Sequence, residues 1–289
     1  MKIAIASGKG GTGKTTVAVN LALSLAEKTR VMLLDCDVEE PNDNIFLNIE
    51  LSKVKDVNLL VPNIDKSRCN FCGDCARFCQ YNALAVLPND IIFFPHLCHS
   101  CGGCKLVCQM NAINEEDRRI GIIEKGERKN ILLYQGLLNI SESMSTPVIK
   151  ELKKTAFENN RYLAIIDAPP GTACPVIESV YDTDYCILVT EPTPFGLHDL
   201  KLAVEVVRTL KIPFGVIINR DGVGNKDVEE YCAKEKIPIL MKIPQDEEIA
   251  RLYSIGVSFI KELDEWKERF IDLYNYINES VKNEAAYSN

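Results

Sequence analysis

The sequence predicts an α/β fold: a doubly wound, mostly parallel sheet carrying a small inserted α+β unit. Three observations predict it. Short apolar runs alternate with helix-length segments at both ends of the chain, a glycine-rich loop follows the first run, and eight cysteines crowd into the stretch where the alternation stops.

The 289 residues are 46% hydrophobic and 26% charged, enough for one large core or two domains. No apolar run reaches the roughly 18 residues of a membrane span. The opening MKIAIAS breaks at Gly8 with no small-residue cleavage site after it, so it reads as a strand rather than a signal peptide. A formal net charge of −8 argues against a chain that grips a phosphate backbone, which needs a basic face; no nucleic-acid partner is expected. Twelve cysteines without a secretion signal imply a reducing, cytoplasmic setting, where tight C-x2-C clusters favour metal ligation over disulfides.

Taken in order, KIAIAS is a strand ending in the glycine loop, a helix runs from about Lys14 to Lys28, and RVMLLDCD is a second buried strand. RYLAIIDAPPG, DYCILVTEP, FGVIINRDG and IPILMKIPQ come next, each an apolar run closed by Asp, Pro, Gly or Asn. Helical segments such as HDLKLAVEVVRTL separate them, which implies a parallel sheet covered on both faces. Between about Pro62 and Arg118 an internal repeat appears. Aligning Cys69 with Cys98 also aligns the other three cysteines, Gly73 with Gly102, Gln80 with Gln109, and Asn82-Ala83 with Asn111-Ala112. Residues 63–117 therefore read as an insertion in a loop, where added length costs little, and 1–62 with 118–289 complete the sheet.

GKGGTGKT at 8–15 fits G-x-x-x-x-G-K-[ST], with Gly8, Gly13, Lys14 and Thr15 in place between a strand and a helix. Gly8, Gly10, Gly11 and Gly13, with Thr12, let backbone N–H groups close around phosphate oxygens, and the helix start at Lys14, Thr15 and Thr16 adds its positive dipole. Lys14 is expected on the β- and γ-phosphates and Thr15 on Mg²⁺.

The additional Lys9 makes the loop resemble the KGGxGKT loop of the MinD/ParA/nitrogenase-iron-protein ATPases, the deviant Walker A, SIMIBI class. That resemblance implies a P-loop NTPase core that binds and hydrolyses ATP with Mg²⁺. It implies that Lys9 crosses a dimer interface to nucleotide on a second subunit, self or a sister ATPase. In LLDCDVEEPN it implies that Asp37 orients the attacking water and that Asp35 is an acidic partner near Lys9 and Mg²⁺. In AIIDAPPGT it implies that Asp167 holds Mg²⁺ through water and that Gly171 offers an amide to the γ-phosphate. Lys9, Lys14, Asp37 and Asp167 are thus the expected catalytic set. NRDG at 219–222 lacks the guanine-reading N-K-x-D pattern, while Asn219 fits the family's adenine contact, so ATP is the expected nucleotide.

Each cysteine quartet is C-x2-C-x2-C-x3-C, the spacing of bacterial two-cluster ferredoxins, in which the fourth cysteine serves the other cluster. By that rule Cys69, Cys72, Cys75 and Cys108 hold one [4Fe–4S] cluster and Cys98, Cys101, Cys104 and Cys79 the second. Gln80 and Gln109 stand where ferredoxins place proline, a departure that bears on the local turn more than on ligation. Zinc is the competing metal, but its sites commonly use two paired knuckles. His96 and His99 are expected in loops. Cys36, Cys186 and Cys232 read as small buried hydrophobes, whereas Cys174, seven residues past Asp167, falls near the expected dimer axis.

The combination resembles MinD-like ATPases containing an inserted ferredoxin domain. It implies an ATP-gated electron carrier that reduces a protein partner, with a hint of metallocluster maturation. One alternative is an iron–sulfur cluster carrier or scaffold acting on an apo-protein; another is a MinD/ParA-like positioning switch. No membrane partner is expected, because the terminal segment's apolar stripe of Trp266, Phe270, Leu273, Tyr274 and Ile277 lies opposite mixed charge rather than a basic face.

Overall fold

The computed structural model describes residues 1–158 and 162–287, and the chain divides into two compact units. The first comprises Met1–Val54, Ile123–Leu137 and Ser145 onward; the second comprises Lys55–Ile122 and Leu138–Met144. The second unit is therefore broader than residues 63–117.

In chain order the elements begin with β1 (Lys2–Ala6), α1 (Lys14–Leu25), β2 (Val31–Asp35), α2 (Asp43–Leu47) and β3 (Ser52–Ile64). Next come α3 (Asp74–Phe78), β4 (Leu84–Leu87), β5 (Asp90–Phe93), α4 (Gly103–Leu106), β6 (Ile113–Arg128) and β7 (Ile131–Leu138). The remainder is α5 (Thr146–Phe157), β8 (Leu163–Asp167), α6 (Cys174–Val180), β9 (Tyr185–Thr190), α7 (Pro194–Thr209), β10 (Phe214–Asp221), α8 (Asp227–Glu235), β11 (Ile239–Pro244), α9 (Glu247–Ser254) and α10 (Asp264–Tyr287). Strands are ordered β11-β10-β9-β1-β8-β2-β7-β6-β3, and the pairs from β11 through to β7 are parallel. The six predicted strands form; Arg161, at the start of one of them, lies outside the described residues. The hairpin of β6 and β7, closed by Lys129 and Asn130, was not anticipated.

Strand register positions the acids of the site. Ile5, Asp35 and Asp167 sit level on β1, β2 and β8, because Asp167 pairs with both of the others. Parallel strands all end at the same sheet edge, so the two aspartates are delivered side by side next to the loop after β1.

The core of the first unit joins β1, β2, β8 and β9 to α1 and α10. Burying Trp266, Phe270, Leu273 and Ile277 fixes α10 against its own unit, each side chain contributing roughly 1.5–3 kcal/mol relative to exposure. Asn20 of α1 adds a polar clamp: its Oδ1 accepts from Ser258 Oγ at 2.6 Å and from the Ile260 N–H at 3.1 Å. The apolar stripe is thus spent inside the fold. Among the described residues no helix is long and apolar enough to cross a membrane.

In the second unit β4 and β5 form an antiparallel pair, and one apolar cluster gathers Cys75, Leu84, Ile91 and Ile113, with partly buried neighbours that include Cys104 and Cys108; Val57, Val61 and Ile120 are buried as well.

Candidate functional site

The phosphate loop is built on backbone that only glycine tolerates at several positions. Gly11 and Gly13 have φ of 75° and 96°, and Gly13 caps α1, leaving the first N–H groups of the helix facing the loop. A Cβ on Gly8 would lie 2.1 Å from the Asp199 carbonyl oxygen. Gly10 differs from the other three. Its φ is not positive, and a Cβ there would meet only Pro170 Cβ at 3.9 Å, an ordinary contact, so neither backbone nor packing demands glycine at that position.

Lys14 is 7% exposed; burial lowers its pKa, and the charges of Asp167 and Asp37 oppose that shift. The Thr15 hydroxyl donates to Asp167 Oδ2 at 2.6 Å, while Asp167 Oδ1 is buried with no hydrogen-bond partner among the described residues. A hydroxyl and an unsatisfied carboxylate oxygen at the end of a phosphate loop fit a magnesium ion.

Asp35 is buried and accepts N–H bonds from Asp37 at 3.1 Å, Asn42 at 2.8 Å and Asp43 at 3.1 Å, so it shapes the loop between β2 and α2. The Lys9 ammonium lies 3.1 Å from Glu191 Oε2, and Glu191 also receives Arg220 at 2.6 Å. Glu191 sits just past the end of β9, a third acid at the same sheet edge; the sequence carried that signal in LVTEP, but nothing there tied it to Lys9.

Gly171 and Asn219 each bond to backbone of the phosphate-loop region. The Gly171 amide donates to the Ser7 carbonyl at 3.1 Å, so it is engaged with the loop's own backbone. Asn219 Nδ2 donates to the Thr12 carbonyl at 2.8 Å, and a Cβ on Gly13 would lie 2.3 Å from that nitrogen. Asn219 thus buttresses the phosphate loop. Asp37 is half-buried and near enough to Lys14 for their charges to interact. Sequence reasoning missed Asp43, which is wholly buried with both carboxylate oxygens unpartnered among the described residues.

Burial, reinforced by Asp167, pushes Asp35 up to about 8; burial pushes Asp167 up to about 7 against the pull of Lys14; and Asp43 is raised well above the carboxylate range. A carboxyl whose folded pKa exceeds its unfolded value of about 3.9 contributes stability below that value and loses it as pH rises through the folded one. The metal- and nucleotide-free protein should therefore lose melting temperature between about pH 4 and pH 8, and Asp35→Asn should flatten that slope. Thermal melts across the window check this; a variant slope equal to that of the unsubstituted chain would contradict it.

The second unit reproduces its sequence repeat in three dimensions. Phe71 and Ser100 have φ of 57° and 54°, Gly73 and Gly102 of 82° and 70°, and Asn82 and Asn111 of 53° and 47°. The Phe71 and Ser100 N–H groups donate to Cys69 and Cys98 Sγ at 3.4 and 3.5 Å, and those of Ala83 and Ala112 to Cys79 and Cys108 Sγ at 3.4 and 3.3 Å. One small cavity is lined by Cys69, Cys72, Cys75 and Cys108, and a second by Cys79, Cys98, Cys101 and Cys104. Among the described residues no group of three or more His, Cys, Asp or Glu side chains is placed to hold a metal ion.

His96 and His99 are exposed, with His99 stacked on Tyr81 at 3.5 Å between ring centroids. Cys36, Cys186 and Cys232 are fully buried, and Cys174 is exposed at the start of α6.

A glycine loop after the first strand, a buried lysine heading the next helix and acids at neighbouring strand ends define a P-loop ATPase on a large, mostly parallel sheet. The chain belongs to the CobQ/CobB/MinD/ParA nucleotide-binding domain family, which it matches over residues 3–259. An uncharacterized protein of Methanocaldococcus jannaschii is 33% identical over 280 residues, covering 96% of each chain. The iron-sulfur cluster carrier protein of Pyrococcus abyssi is 25% identical over 276 residues, 90% of this chain and 79% of that one. In fold the chain is similar to the septum site-determining protein MinD of Pyrococcus horikoshii bound to Mg-ADP, with TM-score 0.56, 23% identity and coverage of 94% and 93%.

Proposed function

We propose that the chain is an ATP-hydrolysing iron–sulfur protein whose second unit is a ferredoxin-type domain holding two [4Fe–4S] clusters, and that it acts as a nucleotide-dependent cluster carrier. The observation that carries this reading is the division of eight thiols between two cavities, three from one motif and the fourth from the other. Such clusters, when bound, supply one-electron chemistry and a cargo of iron and sulfide. The chain's own part is to present thiolates, with N–H groups of residues 71, 83, 100 and 112 turned to four of the sulfurs. In the first unit Lys14 and the α1 N-terminus receive phosphate, Thr15 and Asp167 hold the magnesium ion, and Asp37 orients water. The iron-sulfur cluster carrier name of relatives at 25% identity supports the carrier reading over an electron carrier.

A second reading, ATP-gated electron transfer with retained clusters, is favoured by one feature: each cavity is lined by four thiols, a full set that holds a cluster without an outside ligand. Anaerobic incubation of the loaded protein with an apo-ferredoxin, with and without Mg·ATP, separates the two. Iron moving into the acceptor faster with ATP supports the carrier. Retained iron together with ATP-stimulated reduction of the acceptor supports electron transfer.

Glu191 holds Lys9 within its own chain, so a crossing lysine must first leave that carboxylate. Glu191→Gln should raise the fraction of ATP-dependent dimer about two- to five-fold, the range expected for a partly exposed ion pair. Sedimentation velocity with a non-hydrolysable ATP analogue measures it; an unchanged dimer fraction would show that the pair does not restrain Lys9.

A further inference from the structure

A cavity of about 460 Å³ opens in the first unit near the C-terminal end of α1, the helix whose first residue is Lys14. Its floor is apolar, with Leu23, Leu47, Ile131 and Ile260 among its walls, and Arg128, Lys129 and Lys261 also line it. The volume falls within the range of small-molecule sites, about 300–1,000 Å³.

The charges around it do not balance. Glu27 is claimed by Lys267 at 2.5 Å, and the nearby Asp264 also favours the Lys267 ammonium. Four cations and two carboxylates line the cavity, so its lining carries a net charge of +2. Arg128 donates to the Leu47 and Asn48 carbonyls at 3.0 and 3.2 Å, and Lys261 to the Phe46 carbonyl at 3.2 Å. These acceptors orient the cations without neutralising them. The Lys261 pKa is lowered by burial and then by the charges of Arg128 and Lys129, with no carboxylate among the causes. In a chain of net charge −8, a cavity whose lining carries a net charge of +2 beside apolar side chains, with Arg128, Lys129 and Lys261 exposed to an incoming ligand, suits an anion.

We propose that this cavity binds a small amphiphilic anion, its carboxylate or phosphate held by Arg128, Lys129 and Lys261 and its apolar body laid against Leu23, Leu47, Ile131 and Ile260. The site lies at the other end of α1 from the phosphate loop and uses none of the nucleotide-binding residues. A free acid and a lipid headgroup share this chemistry, so the probes must separate them.

The test is calorimetric titration of the full-length protein with decanoate, decanol and inorganic phosphate, repeated on Lys129→Gln, on Lys261→Gln and on the double variant. Decanoate should saturate at one per chain, the double variant should bind it about tenfold more weakly, and decanol and phosphate should each bind at least about tenfold more weakly than decanoate. Basal ATP hydrolysis should be unchanged in all three variants. Lys129 is exposed in the β6–β7 turn, so Lys129→Gln alone, with about a two- to three-fold loss, keeps the test valid if Lys261→Gln lowers the melting temperature. Cosedimentation with phosphatidylglycerol vesicles, lost in the double variant, would assign the anion to a lipid; decanoate binding without cosedimentation would assign it to a soluble acid. No saturable binding, or equal affinity for decanoate in the wild-type and double-variant proteins, would overturn the proposal.

Discussion

Cys108→Ser will strip iron from the site of Cys69, Cys72 and Cys75 and leave the site of its own motif loaded. The expectation comes from the cavity lined by Cys69, Cys72, Cys75 and Cys108, where the last thiol arrives from the other repeat. Pairing substitutions makes the outcome unambiguous. Cys108→Ser with Cys69→Ser should cost one cluster, about half of the iron, because both thiols face one cavity, whereas Cys108→Ser with Cys98→Ser should cost both. Ligation within each motif would reverse those two results. Because three of the second unit's thiols, Cys75, Cys104 and Cys108, pack in its apolar cluster, the chain lacking both clusters should also show faster hydrogen exchange through residues 55–122 than through β1, β2 and β8.

Lys14→Ala will lower ATP hydrolysis by about 10²–10³-fold, the cost of deleting one preorganised charge from a developing phosphate transition state. Lys14 is buried beside Asp167 and Asp37, so the substitution also leaves carboxylates without their cation. Asp167→Asn should give a loss of similar size that raised magnesium only partly restores, because Asp167 Oδ1 is the buried oxygen left without a partner. Steady-state phosphate release against magnesium concentration checks both. A Lys14→Ala rate within about threefold of the unsubstituted rate would remove that lysine from the chemistry.

Much of this was legible in the chain because the signals were local. Strands 2–6, 31–35 and 163–167 are short apolar runs that stop at a loop or an aspartate, and parallel register then brings Asp35 and Asp167 together without further instruction. The cysteine repeat was equally plain, since a fixed offset carries positive-φ residues and thiols alike. What escaped is what depends on distant partners. β6 reads INEEDRRIGIIEKGER, so heavily charged that its strand character comes from pairing with β3 and β7 rather than from its own composition. Glu191 meets Lys9, and Asn219 meets Thr12, across 182 and 207 residues of sequence, and no spacing rule predicts either. Asp43 stood out in no motif, yet it is buried, with both carboxylate oxygens unpartnered among the described residues.

Oxygen-free purification followed by iron, sulfide and zinc analysis, with electron paramagnetic resonance after dithionite, tests the central claim most directly. About eight iron and eight sulfide per chain, little zinc, and signals from two interacting cubane clusters are the predicted result. Colourless protein with about two zinc ions per chain and no sulfide would contradict it.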